Sequence, residues 1–249
     1  MAPLLSKPQL VTTSTPTASI FVSGRLLDGW KAIGAGGGAK SIVIPNGVDL
    51  EAVRGKAAEP CNHRWFAEDV PVVLGVGRLV QQKNFETLIE AVALAARSHP
   101  LCLLLIGDGP LASRLATQAA AAGLGDRFEI IAPVANPMPY MARAAVLAFP
   151  SWWEGASNVL LEALACGTPV VASRTAGSAA EVLDGGAFGI LVDPAEPQDI
   201  AEGLLTQLGA LPVKPADRAL TFSRKAALET YADLLMDEAR SAAIAATRP

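Results

Sequence analysis

From Pro71 to Gly209 the chain repeats one arrangement: a short unbroken apolar run, then a stretch whose apolar residues recur every three or four positions. The runs "PVVLGVG", "LCLLLIG", "RFEIIAP", "AVLAFP", "TPVVAS" and "GILVD" are too short for core helices and show no polar alternation. Strands that read this way are buried on both faces, as in a parallel sheet covered by helices. Between them, "NFETLIEAVALAARSHP" carries Phe85, Leu88, Ile89, Val92 and Ala96 on one helical face, with Asn84 placed to cap its start. "GPLASRLATQAAAAG" reads as a second helix ended by Gly123, and "EPQDIAEGLLTQLG" as a later one with Pro197 in its first turn. A short helix around Met138 to Arg143 and another beginning at "SAAEVL" complete roughly six β-α units, which predicts a doubly wound α/β fold with a parallel, Rossmann-like sheet.

The flanks read differently. Residues 1–18 are rich in Thr, Ser and Pro without a period, and "ASIFVSGRLLDGWKAIG" reads as one strand and one helix. After the glycine-rich "GAGGGAK" comes the apolar "SIVI", closed by "PNGVD"; "EAVRGKAAEPCNHRWFAEDV" reads as a polar, irregular connector. The tail "PADRALTFSRKAALETYADLLMDEARSAA" is one long helical pattern carrying Phe222, Ala226, Tyr231 and Leu234.

With 51% hydrophobic and 18% charged residues the chain has the composition of a globular protein, not of a disordered one. A net charge of −4 and no basic cluster argue against nucleic-acid binding, because phosphate contacts need a local surplus of Lys and Arg. Cys61, Cys102 and Cys166 are odd in number and widely spaced, which suits free thiols in a reducing compartment, and no His/Cys spacing suggests a metal. The N-terminal residues lack the continuous apolar stretch of a signal peptide, and no run is long enough to cross a membrane. The expected location is cytoplasmic, with room for peripheral contact with the inner face of a membrane.

In a doubly wound sheet, ligands sit at the carboxyl ends of the strands near the point where the strand order reverses. The loop after the first strand, "GVGRLVQQKNFETL", has Gly75 and Gly77 where backbone can approach a ligand, then Arg78 and Lys83. Two cations there suit the oxygens of a diphosphate, Arg as a fork and Lys as a point charge; equally they are ordinary solvated loop charges. The full G-x-G-x-x-G is absent, so no dinucleotide fingerprint is read. A second loop, "PSWWEGASNVLLEALACGTPVVAS", follows the fourth strand. Gly155, Ala156, Ser157 and Asn158 are small or capping residues that leave backbone N–H groups free at a helix start. Glu162 falls one turn into that helix, where a carboxylate can accept from a ribose diol, and Glu154 precedes it; both could instead simply favour the helix dipole.

The stretch "EGASNVLLE" matches the motif of two glutamates separated by seven residues in the retaining glycosyltransferases of family 4. Its flanks, and "GVGRLVQQKNFETLIEA", "LLLIGDGPL" and "GILVDPAEPQDIAEGL", resemble that family's successive blocks in the same order, from roughly Ser41 to Leu208. The resemblance implies the C-terminal half of a GT-B fold and a nucleotide-sugar donor, such as a UDP-, GDP- or ADP-sugar, held without a required metal or further cofactor. It implies that Arg78 and Lys83 bind the donor diphosphate as catalytic groups, that Glu162 holds the ribose, and that Glu154 lies by the donor sugar as a third catalytic group. The Gly77 turn and the backbone of Gly155, Ala156, Ser157 and Asn158 would meet phosphate or sugar, while Ala132 and Val134 would line the base.

Against that pattern, only about 40 residues precede "IVIPNGVD", where the family places an α/β acceptor domain of roughly 100–150 residues. The expected organisation is therefore a remnant of that domain (1–40), a linker with its entry strand (41–70), the Rossmann-like donor-binding domain (71–210) and a C-terminal crossover helix (211–249) that exposes an apolar face. The acceptor, whether a glycan, a lipid-linked sugar or a small molecule, would bind elsewhere, on a separate acceptor-domain subunit if need be. Two other readings stay open: a non-catalytic nucleotide-sugar-binding module, and a GT-B epimerase or phosphorylase. His63 and His99 match no catalytic position and read as solvated or structural.

Overall fold

The computed structural model describes residues 18–34, 40–68, 70–209 and 215–246, with side chains through Ser241. Residues 1–17, read above as lacking a period, and residues 35–39 of the glycine-rich stretch lie outside the described residues, as do 69, 210–214 and 247–249.

Six strands form the central sheet: β3 (Val72–Val76), β4 (Cys102–Ile106), β5 (Phe128–Ile131), β6 (Val146–Phe149), β7 (Val170–Ser173) and β8 (Ile190–Val192). All pairs are parallel and the order is β5-β4-β3-β6-β7-β8. The chain winds outward one way from β3 and the other way from β6, so the order reverses between these two neighbours. This is the doubly wound arrangement that the continuous apolar runs predict.

Alternate residues of each strand face opposite layers. Val72, Leu74, Leu104 and Leu147 pack in one core with α5 (Met138–Met141), α6 (Asn158–Cys166) and α9 (Pro215–Ala219). Val73, Leu103, Leu105 and Val146 pack in the other with α3 (Phe85–Ala95), α4 (Ala112–Ala121) and α8 (Pro197–Gly209). Leu74, Leu88, Ile89, Leu104 and Leu164 are fully buried, and each such side chain contributes on the order of 2 kcal/mol of transfer free energy.

A two-stranded parallel sheet, β1 (Ala18–Phe21) with β2 (Lys40–Val43), and helix α1 (Gly24–Ala32) precede this domain. Ser23 caps α1 by accepting from the Leu26 N–H. The stretch read as an irregular connector instead begins with a helix, α2 (Leu50–Ala57), capped by Asp49 and buried at Val53. A 3₁₀ turn, Arg64–Phe66, follows, with Trp65 only 3% exposed. Polarity along this stretch masked its two apolar anchors. The tail is likewise not one helix: α9 ends in a turn at Leu220–Phe222, Ser223 is extended, and α10 (Arg224–Ala246) begins after it.

Candidate functional site

β3 and β6 lie side by side, with Val73 opposite Val146 and Leu74 opposite Leu147, so the loops leaving their carboxyl ends meet over the reversal point. The first loop is pinned on its β4 side. Gly77 N–H donates to Ile106 O (3.0 Å) and Leu79 N–H to Asp108 O (2.8 Å). A Cβ on Gly107 would overlap the Gly77 carbonyl, so this close approach requires glycine.

The same loop is stapled to the β6 loop. Trp152 N–H donates to Gln82 O (2.9 Å), and Gln82 Nε2 donates to Trp153 O (2.8 Å). Asn84, 2% exposed, has a left-handed backbone (φ 55°), and its side chain does not cap α3 as its position suggested. Its Nδ2 donates to Pro150 O (3.1 Å) and Pro194 O (2.7 Å), and its Oδ1 accepts from Thr87 (2.6 Å). Asn tolerates this conformation better than other non-glycine residues, and its amide satisfies two carbonyls that would otherwise be buried and unpaired.

Held this way, Lys83 Nζ reaches Glu154 Oε1 at 2.6 Å, the two side chains being only 14% and 13% exposed. The ammonium also stands 5.5 Å from the centre of the Phe149 ring. Arg78 is exposed and makes no ion pair among the described residues.

Just beyond, Ser157 precedes α6 in extended conformation and its hydroxyl makes no capping bond. Among the described residues nothing outside the helix accepts from the N–H groups of Gly155 through Leu160, so the positive end of α6 faces outward with its donors free. The Glu154–Gly155 backbone is backed by Gly177 (φ 49°), where a Cβ would overlap the carbonyl oxygens of both residues. Thr175 Oγ1 adds a bond to Trp152 O at 3.2 Å.

Glu162 does not join the Lys83–Glu154 pair. With Asn158, one turn earlier, it lines a cavity of about 450 Å³ whose other walls include Asn46, Lys56, Met138 and Arg224. Burial holds its carboxyl above the ordinary range, and the Lys56 charge works against that rise. Asn46 Nδ2 donates to Asn158 Oδ1 at 2.9 Å, tying the "PNGVD" turn to the helix start. Ala132 is exposed and Val134 half-buried in the loop after β5. In the same loop Asn136 donates to Lys56 O at 3.0 Å, fixing α2 beside it. Gln82, Gly177 and Lys56 were not singled out from sequence. Gln82 and Gly177 act through long-range backbone contacts, and Lys56 lies on the helix taken for a connector.

His63 is a structural residue. Its Nδ1 accepts from the Trp65 N–H at 3.4 Å, and its Nε2 lies 3.6 Å from Glu129. His99 is exposed just past α3, its Nδ1 3.1 Å from Ser98 Oγ and its backbone N–H donating to Ala95 O at 3.2 Å. All three cysteines are free, and burial with the neighbouring Glu162 pushes the Cys166 thiol up to about 12, so it stays protonated. Among the described residues no group of three or more His, Cys, Asp or Glu is placed to hold a metal. Nor is any described helix long and apolar enough to cross a membrane.

A doubly wound parallel sheet with a cation and a helix start at its reversal point defines a Rossmann-like domain. The sequence profile of the family described as "Glycosyl transferases group 1" matches residues 70–209, and the chain belongs to that family. It is 34% identical over 169 residues to the N-acetylgalactosamine-N,N'-diacetylbacillosaminyl-diphospho-undecaprenol 4-alpha-N-acetylgalactosaminyltransferase of Campylobacter jejuni, covering 68% of this chain and 44% of that one. It is 34% identical over 174 residues to the lipopolysaccharide core biosynthesis glycosyltransferase LpsE of Rhizobium meliloti, covering 67% and 50%. The chain thus spans about half the length of these curated relatives.

Among solved structures, Anabaena HepE in complex with UDP superposes with a TM-score of 0.78 at 24% identity, covering 89% of this chain and 64% of that one. The sucrose-phosphate synthase of Thermosynechococcus elongatus superposes with a TM-score of 0.73 at 24% identity, covering 89% and 58%. The fold is that of the C-terminal domain of GT-B glycosyltransferases.

Proposed function

We propose that this chain is the donor-binding half of a glycosyltransferase that takes a sugar from a nucleotide-sugar and transfers it with retention of configuration. The observation that carries this reading is the meeting of Lys83, Glu154 and the uncapped start of α6 over the reversal point of the sheet. The diphosphate lies across the free N–H groups of Gly155 to Asn158, with Lys83 and the exposed Arg78 as counter-charges. These donors stabilise the diphosphate as it gathers charge on leaving, which is their catalytic contribution. Glu154 serves the sugar end of the donor and Glu162 the ribose, while Ala132 and Val134 border the base.

Retention needs the acceptor hydroxyl on the same face as the departing diphosphate. The acceptor is a glycan, a lipid-linked sugar or a small molecule, presented by a further domain or a separate subunit that closes over the cradle. Work at the inner face of a membrane fits this reading, since one relative is named for a diphospho-undecaprenol acceptor. Calorimetry with UDP-, GDP- and ADP-sugars tests the donor site: one class binds, and absence of binding to all three overturns the reading.

The alternative is a nucleotide-sugar-binding module that does not transfer sugar by itself. Release of labelled sugar by the purified chain, to any acceptor including water, decides against it.

A further inference from the structure

The ion pair that closes the cradle has a consequence for which ligand the site prefers. Lys83 stands at the reversal point of the sheet, yet its ammonium is already bound to Glu154 at 2.6 Å, and both side chains are largely shielded from water. Its stem lies against Gly77, where a Cβ would come 3.0 Å from Lys83 Cε, and its head stands on the Phe149 ring. The ammonium is therefore held in one place with Glu154 as its one ion-pair partner among the described residues. Among the described residues the N–H groups at the start of α6 have no hydrogen-bond acceptor.

We propose that Glu154 is an internal stand-in for the donor diphosphate: the anion displaces it from Lys83, and only a ligand that also carries a sugar gives the released carboxylate new partners. This rests on the donor-binding reading above and deepens it to a specificity role. A bare nucleoside diphosphate or pyrophosphate must break the Lys83–Glu154 bond and leaves Glu154 without a hydrogen-bond donor in a poorly hydrated place. A nucleotide-sugar breaks the same bond but supplies hydroxyls that donate to the freed carboxylate. A ligand shifts such an equilibrium only by its differential interaction with the two states, so the exchange favours substrate over the nucleoside diphosphate product.

The test compares wild type with Glu154→Gln, which keeps the shape but removes the charge. The probes are inorganic pyrophosphate, which is independent of the base, and the pairs UDP with UDP-glucose, GDP with GDP-mannose and ADP with ADP-glucose. The exchange predicts that Glu154→Gln binds pyrophosphate and the matching nucleoside diphosphate about 3- to 10-fold more tightly than wild type. It also predicts that the wild-type preference for the sugar-bearing member of the pair shrinks by a similar factor. Unchanged or weaker pyrophosphate binding in a folded Glu154→Gln protein overturns the exchange while leaving donor binding standing. Failure of wild type to bind any of these probes overturns donor binding and the exchange together. Should Glu154→Gln not fold, the Lys83 ammonium resonance of the wild-type chain decides: it shifts as pyrophosphate saturates the site if the pair opens, and stays in place if it does not.

Discussion

At the scale of single residues, Lys83 and Glu162 carry charges whose surroundings make them measurable. If Lys83 meets the diphosphate as proposed, Lys83→Ala is expected to weaken donor binding about 10- to 100-fold, read by calorimetry. It also leaves the Glu154 carboxylate, 13% exposed, without its partner, and should lower stability by on the order of 2 kcal/mol in denaturant titration.

Glu162 behaves oppositely. Its folded-state pKa is raised, first by burial, so the protonated form is favoured in the fold; the stabilisation that this gives is complete below the unfolded pKa and is lost as pH rises through the folded one. Glu162→Gln should therefore raise the melting temperature of the ligand-free chain near pH 7 and lose that advantage near pH 4. Glu162 and Glu154 were both legible in the sequence as members of one motif. Their separation was not, because it depends on what each meets in space: Lys56 and Asn46 line the cavity with Glu162 on α6, and Lys83 meets Glu154 in the loop before it.

At the scale of elements, the site is a set of loops joined to each other rather than to their own strands. Asn84 shows this best. As a residue before a helix it suggested a cap, whereas its amide bridges Pro150 after β6 and Pro194 after β8. Asn84→Ala strands two buried carbonyls and places alanine at φ 55°, a combined cost of about 3 kcal/mol, or roughly 6–12 °C in melting temperature for a chain of this size. Asn84→Gly should recover the backbone part alone.

Gly177 backs the cradle from the other side. A side chain at Gly177 would push on the Glu154 and Gly155 carbonyls, so Gly177→Ala is expected to weaken donor binding about tenfold or more while Arg78 and Lys83 remain intact. Strand and helix existence was readable because each element carries its own period. The staples were not, since their partners lie 66 to 110 residues away in sequence and no local pattern encodes them.

At the scale of the whole molecule, the β1-α1-β2 unit sits on the six-stranded domain through a small number of polar contacts. The carboxylate of Glu181, at the end of helix α7 (Ala179–Val182), accepts from Gly24 N–H (3.2 Å) and Arg25 N–H (3.0 Å), filling the start of α1. Arg218 holds the Glu181 carbonyl at 2.6 Å from the other side. A two-stranded sheet has little stability of its own, so this docking matters. Glu181→Ala is expected to speed amide exchange across Ala18–Phe21 and Gly24–Ala32 at least tenfold, with β3 and β4 unchanged, as read by hydrogen-exchange mass spectrometry.

Some apolar surface stays uncovered among the described residues: Leu228, Leu235 and Met236 on α10 are 59%, 66% and 57% exposed.

The sequence alone determined the doubly wound α/β class, the run of strands and helices from Pro71 to Gly209, and the two loops that bear the charges. It could do so because hydrophobic period and helix-start chemistry act over a few residues, and because the parallel sheet buries its strands on both faces. Tertiary structure decided what those loops become. Packing β3 against β6 brings Lys83 onto Glu154, and the start of α6 is without acceptors among the described residues. The same packing turns Glu162 toward a separate cavity walled by α2, where burial rather than motif spacing sets its charge. Distances, burial and the pairing of charges arise only when segments far apart in the chain meet, and no local pattern of residues records them.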